Sequence, residues 1–368
     1  MKITLQQSEL LKGVNIVSKA LPIRTTMPIL ECIIIDASAN EIKLTANNIE
    51  LGIETIVEGN IIEPGVVGIE AKFLGELVRK LPSNEVTIDT DDRFHTTIIC
   101  EKAEVKVSGK SAEDFVHIPI VARNNPIVIS ELGLKDLIRQ TSFAAAQNNN
   151  NKLMTGEYFE LSGSKLKAVA LDGNRVAIRN VNLKEPVGDS SAIIPVKTLN
   201  EISKIMNGGA EDMVSIYITE NHIIFEYEKT TVVSDLISGE YFMIDKMISP
   251  DFITKMSCDK KQLSDILDRF SIMSNETDKK PIVFSIEGQT VRMSIDSFRG
   301  SMNEELEIKK EGDDMVIGFN PKFLMDAIRA IDEDFIDFYF LNSRSPAIIK
   351  DADENYNYVV LPINIGVR

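Results

Sequence analysis

Cysteine is scarce in this chain, and long apolar runs are missing from it. Its 368 residues include three cysteines, Cys32, Cys100 and Cys258, which are far apart in the sequence. This odd, scattered set argues against a disulfide framework and favours a reducing compartment. The longest apolar cluster, Ile33–Ile35, falls far short of the ~18 residues that a membrane helix needs. The N-terminal stretch MKITLQQSELLKG lacks the apolar core of a secretory signal, so we expect a cytoplasmic protein without membrane contact.

Recognisable catalytic and metal-binding motifs are also missing. The three histidines, His95, His117 and His222, do not have the spacing of metal ligands, and no HExxH, paired CxxC or GxSxG sequence occurs. Residues 109–111 read Gly-Lys-Ser, but Glu104 stands where a phosphate-binding loop needs its first glycine. We therefore expect no cofactor, no metal and no catalysis. An enzyme whose catalytic residues come from distant parts of the chain stays open as an alternative.

The chain is acidic and of ordinary folded composition. It carries a formal net charge of −16, with 43% hydrophobic and 26% charged residues. The charge by itself argues against nucleic-acid binding, because phosphate contact requires a basic surface. The simplest interpretation is an acidic protein that binds other proteins. Its length exceeds the roughly 250–300 residues at which single cores stop growing, so two or three domains are expected.

A repeat of 125 residues organises the sequence. The segments AKFLGELVRKL (71–81), VKTLNEISKIM (196–206) and PKFLMDAIRAI (321–331) align without gaps, and Lys72, Lys197 and Lys322 are each 125 residues apart. Each segment has the apolar spacing of a helix with one buried stripe and one charged stripe.

Each repeat is predicted to hold two helices and several strands. Earlier helices are predicted over 8–20, 133–146 and 260–273, and strands follow the later helices at 85–90, 212–218 and 334–340. Further strand-like runs cover 41–57, 165–181 and 290–308. These patterns predict an α+β fold with one sheet per repeat and both helices on one of its faces. The predicted domains are 1–123, 124–249 and 250–368.

The predicted helices concentrate the positive charge. Counted over their predicted spans, the six helices carry +7, which leaves −23 on the rest of the chain. If the helices share one face, that face would attract DNA weakly and without sequence preference. Alternatively, they are ordinary solvated helices with pairs such as Lys72–Glu76.

Several stretches resemble the beta subunits of bacterial DNA polymerase III, the sliding clamps, over the whole chain. They are MKITLQQSELLKGVNIVSKAL (1–21), RTTMPIL (24–30), LTANNIEL (44–51), KAVALDGNRVAI (167–178), IIPVKTL (193–199), SNE (274–276), IGFNPKFLMDAI (317–328) and YVVLPI (358–363). The resemblance implies three tandem two-helix clamp domains that form half of a closed, head-to-tail homodimeric ring. It also implies duplex DNA inside the ring, with a polymerase III alpha-type subunit, the clamp loader and other clamp-binding-motif proteins as partners.

The resemblance also implies three sets of site residues. The DNA-facing residues would be Lys12, Arg24, Lys72, Arg79, Lys80, Lys135, Arg139, Asn149, Lys152, Lys197, Lys204, Lys322 and Arg329. The groove for partner peptides would be formed by Met154, Leu171, Gly173, Asn174, Arg175, Val176, Phe242, Lys246, Met247, Asn320, Phe323, Arg344, Leu361, Pro362 and Ile363. In the dimer interface, Val105 and Val107 would meet Ile272 and Met273 of the neighbour.

The chain departs from the family pattern at two groove positions. Phe242 stands where proline is frequent, and Asn174 stands where histidine is frequent. For Val176, Leu361 and Ile363, an ordinary place in the core is the alternative. Two functional hypotheses follow: a non-catalytic clamp that tethers a polymerase, or a protein-binding scaffold or distributed-site enzyme of the same repeat architecture.

Overall fold

The structure is a computed structural model, and it describes residues 1–148, 150–244, 251–274, 280–353 and 355–365. Within these residues the chain forms six α-helices. They are α1 (Gln7–Val17), α2 (Ala71–Lys80), α3 (Glu131–Thr141), α4 (Val196–Ile205), α5 (Lys260–Ser271) and α6 (Pro321–Ala330). None of them is both long enough and apolar enough to span a membrane.

The strands follow in chain order. The first third of the chain contributes β1 (Lys2–Gln6), β2 (Cys32–Asp36), β3 (Ile42–Asn47), β4 (Leu51–Val57), β5 (Asn60–Glu63), β6 (Val66–Glu70), β7 (Glu85–Thr90), β8 (His95–Cys100) and β9 (Ala103–Ser108). The middle third contributes β10 (Ile127–Ser130), β11 (Gly156–Leu171), β12 (Arg175–Pro195), β13 (Met213–Ile218), β14 (His222–Tyr227) and β15 (Thr230–Asp235). The last third contributes β16 (Thr254–Asp259), β17 (Ile282–Glu287), β18 (Thr290–Ser297), β19 (Gly300–Glu307), β20 (Lys309–Gly312), β21 (Met315–Phe319), β22 (Phe335–Phe340), β23 (Ala347–Lys350) and β24 (Tyr356–Val360).

The second helix of each repeat confirms the 125-residue period. The helices α2, α4 and α6 begin at residues 71, 196 and 321 and all have the same length. Their apolar stripes are buried, as Leu74, Leu199 and Leu324 show with 0% exposure. The start of α6 is well specified, because Pro321 occupies the first turn and the Asn320 side chain accepts the Lys322 N–H.

The first helices are shorter than predicted. Both α1 and α3 pass into short 3₁₀ turns, Ser18–Ala20 and Ser142–Ala144, where the apolar pattern continues without α-helical backbone. Their bounds also alter the charge count: α1 ends before Lys19, and α3 begins with Glu131. The six observed helices therefore carry +5 instead of the predicted +7.

The prediction of one sheet per repeat is wrong, because each third of the chain divides its strands between two antiparallel sheets. One compact unit, residues 1–132 and 200–236, contains a sheet of order β5-β1-β7-β8-β9 and another of order β10-β13-β14-β15-β4-β3-β2-β6. The other unit, residues 133–199 and 237–368, contains sheets of order β11-β12-β24-β23-β22-β16-β20 and β19-β18-β17-β21. In each unit, one sheet therefore continues across a boundary between repeats.

Candidate functional sites

The cationic residues of the helices are mostly exposed on the face opposite the buried stripe. Lys72, Lys197 and Lys322 are exposed, and so are the residues one heptad later, Arg79, Lys204 and Arg329. Residues seven apart lie on the same helix face, so each second helix presents a two-residue basic stripe. Of the other predicted DNA-facing residues, Lys12, Arg24, Lys80, Arg139 and Lys152 are exposed, Lys135 is half-buried, and Asn149 lies outside the described residues.

Ion pairs neutralise part of this basic surface. Lys12 pairs with Glu228 at 2.9 Å, and Lys204 pairs with Glu201 at 2.8 Å. Arg139 and Arg329 contact acids of the last repeat, Asp332 at 2.7 Å and Asp268 at 2.9 Å respectively. Within the described part of the chain, Lys72, Arg79, Lys80, Lys197 and Lys322 form no ion pair. The surface is mildly basic, as the sequence predicted.

Four of the predicted groove residues belong to one apolar cluster in the second unit. Leu171 and Val176 are buried in it, and the half-buried Met154 and Phe242 pack against it. Sequence reasoning missed Tyr241, which is also buried in this cluster. Its ring stacks on Tyr158 at 5.1 Å between ring centroids, and its hydroxyl donates to the Val169 and Gly156 carbonyls at 3.3 and 3.4 Å. Burial raises the pKa of Tyr241 well above its ordinary value, so the hydroxyl stays a donor.

The internal repeat explains why this cluster forms where it does. The hairpins β3–β4, β11–β12 and β18–β19 pair in equivalent registers, so their residues can be compared position by position. Four positions on one hairpin face are apolar in the middle repeat and polar or glycine in the other two. They are Val169, Leu171, Val176 and Ile178, against Thr45, Asn47, Gly52 and Glu54 in the first repeat and Ser294, Asp296, Ser301 and Asn303 in the last.

In the first repeat, the chain itself covers the equivalent face. The Asn47 side chain donates to the Val116 carbonyl at 2.8 Å, and a Cβ added at Gly52 would lie 2.6 Å from Ile118. Of the three repeats, the middle one alone is apolar at these four positions, and Tyr241 and Ile244 pack with them. The location of the apolar cluster thus has a physical basis in this chain, independent of any relative.

Arg175 precedes Val176 on β12, and its side chain is 9% exposed. It lies against Phe143 and Phe323, which pack on the neighbouring core of the same unit and not on this cluster. It donates to Asp172 at 3.1 Å, to Asp326 at 2.6 Å and to the Phe143 carbonyl at 2.6 Å. The guanidinium carbon also lies 4.6 Å from the centre of the Phe323 ring. Arg175 and Phe323, both predicted for the groove, are therefore in direct contact.

Three further predicted groove residues, Gly173, Asn174 and Leu361, lie in the turn that precedes Arg175 or are bonded to it. Gly173 and Asn174 are exposed in this hairpin turn, and Gly173 adopts a φ of +86°, which favours glycine. The Asn174 carbonyl accepts the Leu361 N–H at 2.9 Å, which attaches the chain end to the turn. Asn320, Leu361, Pro362 and Ile363 are half-buried, Arg344 is exposed, and Lys246 and Met247 lie outside the described residues.

The predicted interface residues lie at two sheet edges. Val105 and Val107 are half-buried on β9, which is the last strand of its sheet. Ile272 is 66% exposed just after α5, and a Cβ added at Gly300 would lie 3.9 Å from Met273. Met273 is therefore close to the start of β19, which is also an edge strand.

Comparison with known proteins places the chain in a family. Models of the N-terminal, central and C-terminal domains of the DNA polymerase III beta subunit match residues 1–119, 128–242 and 246–364. The chain belongs to the DNA polymerase III beta subunit family. The "Beta sliding clamp" of Staphylococcus aureus strain N315 is 31% identical over 374 residues, which cover 99% of each chain.

Solved structures of family members have the same fold. The DNA polymerase sliding clamp from Bacillus subtilis is 30% identical and superposes with a TM-score of 0.95, covering 99% of each chain. A protein from Eubacterium rectale described as a DNA polymerase III beta subunit is 54% identical, with a TM-score of 0.96 and coverage of 99% and 100%. The three tandem clamp domains expected from the resemblance are confirmed. Members of this family are processivity factors without catalysis of their own.

Among the residues that the structure describes, no group of three or more His, Cys, Asp or Glu side chains could hold a metal ion.

One buried carboxyl was missed by sequence reasoning. Glu157 has 0% exposure, and its Oε1 atom lies 2.6 Å from Thr141 Oγ1. Burial raises the pKa of Glu157 to about 8. The register of the strands shows that its counterparts in the other repeats are Ile33 and Ile282. Comparison of the three repeats is therefore the only sequence signal that distinguishes Glu157.

Proposed function

We propose that the chain acts as a DNA sliding clamp, with two copies closed head to tail into a ring around duplex DNA. The ring tethers a polymerase III alpha-type subunit and receives the clamp loader and other clamp-binding-motif proteins at one groove per chain. It performs no chemistry, needs no cofactor and works in the cytoplasm. The three domains are assigned to residues 1–123, 124–249 and 250–368.

The observation that supports this proposal most is a strand pairing that occurs twice between repeats and leaves two counterpart strands without such a partner in the described structure. In one unit, β15 pairs with β4 and places Val232 opposite Ile53. In the other, β24 pairs with β12 and places Tyr358 opposite Ala177 in the equivalent register. The counterpart of β15 and β24 in the first repeat is β9, and the counterpart of β4 and β12 in the last repeat is β19. Among the described residues, β9 and β19 are both edge strands. An edge strand with free backbone groups is a template for pairing with another chain.

The repeat alignment predicts the register of the joint between two copies. When each edge strand is aligned with its counterparts, Val105 of one copy faces Met302 of the other, and Val107 faces Gly300. We assign Ile272 and Met273 to the same joint, because Met273 is close to Gly300 in this structure. The contact is heterologous, and it closes after two chains if the repeats are related by equal rotations.

The charge distribution supports sliding on DNA. The observed helices carry +5 while the whole chain carries −16, so any attraction to phosphates is modest. We assign the exposed lysines and arginines of the helices, together with Arg24, Asn149 and Lys152, to the surface that faces DNA. Weak contacts without base readout allow a ring to move along the duplex.

Ring closure is tested by the mass of the protein in solution. Light scattering at micromolar concentration is expected to give a particle of twice 41.0 kDa, since each copy satisfies both open edges of the other. A mass of one chain over the whole concentration range would contradict the two-subunit ring.

The groove is tested with Met154→Ala and a peptide from the C-terminal tail of the replicative polymerase. Because Met154 packs at the margin of the apolar cluster, we expect the variant to bind about tenfold more weakly, which corresponds to ~1.4 kcal/mol. Fluorescence anisotropy of the labelled peptide measures this change.

The matched control is Met315→Ala, which truncates a half-buried methionine that packs against a different core. This control should bind the peptide like the unmodified protein. Equal affinity of both variants would overturn the groove assignment without touching the ring.

A further inference from the structure

Asp326 connects the two surfaces assigned to α6. Lys322, Asp326 and Arg329 are spaced four and three residues apart, so they lie on one face of the helix. Lys322 and Arg329 are exposed, while the Asp326 side chain is only 25% exposed. The carboxylate of Asp326 accepts a hydrogen bond from Arg175, at the border of the groove.

The geometry of Arg175 depends on this carboxylate. Its three directions of donation end on Asp172, Asp326 and the Phe143 carbonyl, and its planar face lies against the Phe323 ring. A buried guanidinium that loses one charged acceptor must reorient or recruit another partner, because an unpaired buried donor is costly. Phe323 belongs to α6, and its ring would then lose the Arg175 side chain that packs against it.

Among the described residues, only one of the three repeats has this arrangement, although the helix occurs in all of them. The counterpart of Asp326 in the middle repeat is Glu201, which pairs with Lys204 of its own helix at 2.8 Å. The strand alignment puts Leu51 and Gly300 at the positions of Arg175. The ion pair between Asp326 of α6 and Arg175 after the hairpin turn is therefore found in the same compact unit as the apolar hairpin face.

We propose that Asp326 is a positioning residue of the partner groove, which acts through Arg175 to hold the Phe323 ring against bound peptide. This inference rests on the proposed function, since it assumes that the groove takes polymerase-tail peptides. It assigns a role in partner binding to an acidic residue that lies between the two cations of the basic stripe and does not itself line the apolar cluster.

The test compares Asp326→Asn with Glu201→Gln in the full-length protein. Each variant removes one negative charge from the same helix position, so both should change the attraction to DNA alike. Asp326→Asn should weaken binding of the polymerase-tail peptide by about five- to tenfold in fluorescence anisotropy, whereas Glu201→Gln should leave it unchanged. Both variants are compared at a temperature at which each is folded and keeps the two-subunit mass. Equal peptide affinities for the two variants would refute the role of Asp326.

A double-mutant cycle separates positioning from general destabilisation. In a Phe323→Leu background, adding Asp326→Asn should cause little further loss of peptide affinity, because the ring through which it acts is gone. Additive losses would refute the proposed route through Phe323. If the unmodified protein fails to bind the peptide at all, the groove assignment itself is wrong, and that outcome is distinct from both others.

Discussion

At the scale of single residues, Glu157 shows how one side chain can make stability depend on pH. The Thr141 hydroxyl lies 2.6 Å from both the Leu137 carbonyl and Glu157 Oε1, and it has only one proton to donate. When that proton serves Leu137, the carboxyl of Glu157 must be the donor, which requires its neutral form. The geometry and the pKa of about 8 therefore agree.

We predict that Glu157→Gln makes stability less sensitive to pH. The folded pKa of about 8 lies above the ordinary ~4.3, so the protonated group stabilises the fold at low pH, and this contribution is lost as pH rises between the two values. Relative to the variant, the unmodified protein should lose at most ~1.4 kcal/mol per pH unit in that window.

Thermal melting across this pH range measures the effect. Glu185→Gln, which changes an exposed carboxylate, serves as the control and should melt in parallel with the unmodified protein. A parallel profile for Glu157→Gln as well would show that Glu157 does not stay protonated in the fold.

Arg175 marks the limit of sequence reasoning at this scale. The resemblance assigns it to the groove, yet nothing in the local sequence indicates that it is buried and bonded to Asp326, 151 residues away. Tyr241 was missed for the same reason, because its partners lie on the distant strand β11. Glu157 contacts Thr141 of α3, only 16 residues away, but its burial is not marked in the local sequence. The identity of a residue indicates which bonds its side chain can form. Whether the side chain is buried depends on contacts between distant segments, which the local sequence does not reveal.

At the scale of elements, predictability followed the strength of the repeat. The second helices match prediction within one residue, since amphipathic spacing and a gapless 125-residue register agree on them. The strand at 85–90 was also predicted with the observed bounds. The division of each repeat into two sheets was not, because β15 pairs with β4 and β24 with β12 across repeat boundaries. Such pairings are non-local and leave no periodic signal.

The edge strands allow a register-specific prediction. Val105→Cys combined with Met302→Cys should form an intermolecular disulfide, because their counterparts Val232 and Ile53 face each other across the joint inside one unit. The native cysteines are all buried and should not compete. Non-reducing electrophoresis after mild oxidation should show a covalent two-chain species.

The control pairs Val105→Cys with Asn303→Cys, one residue further along β19. Side chains alternate across a strand, so this cysteine would point to the opposite face and cross-link poorly. Equal yields from both pairs would mean that the edges do not meet in the expected register.

At the scale of the whole molecule, the proposed function requires an acidic chain to act on DNA. A net charge of −16 argues against a tight DNA-binding protein, and the mildly basic helices do not reverse that. A ring resolves the conflict, because a closed topology retains the duplex without strong contacts. In the proposed function, repetition of one module would supply the ring, and the departures from repetition at the apolar hairpin face and at Arg175 would supply the groove.

The most direct measurement is retention of the protein on DNA of two topologies after loading by its clamp loader. On a nicked circle the protein should co-elute with the DNA in gel filtration, and cutting that circle once should release it, because a ring slides off a free end. Equal retention before and after the cut would contradict encirclement, and with it the central claim that two chains close around the duplex.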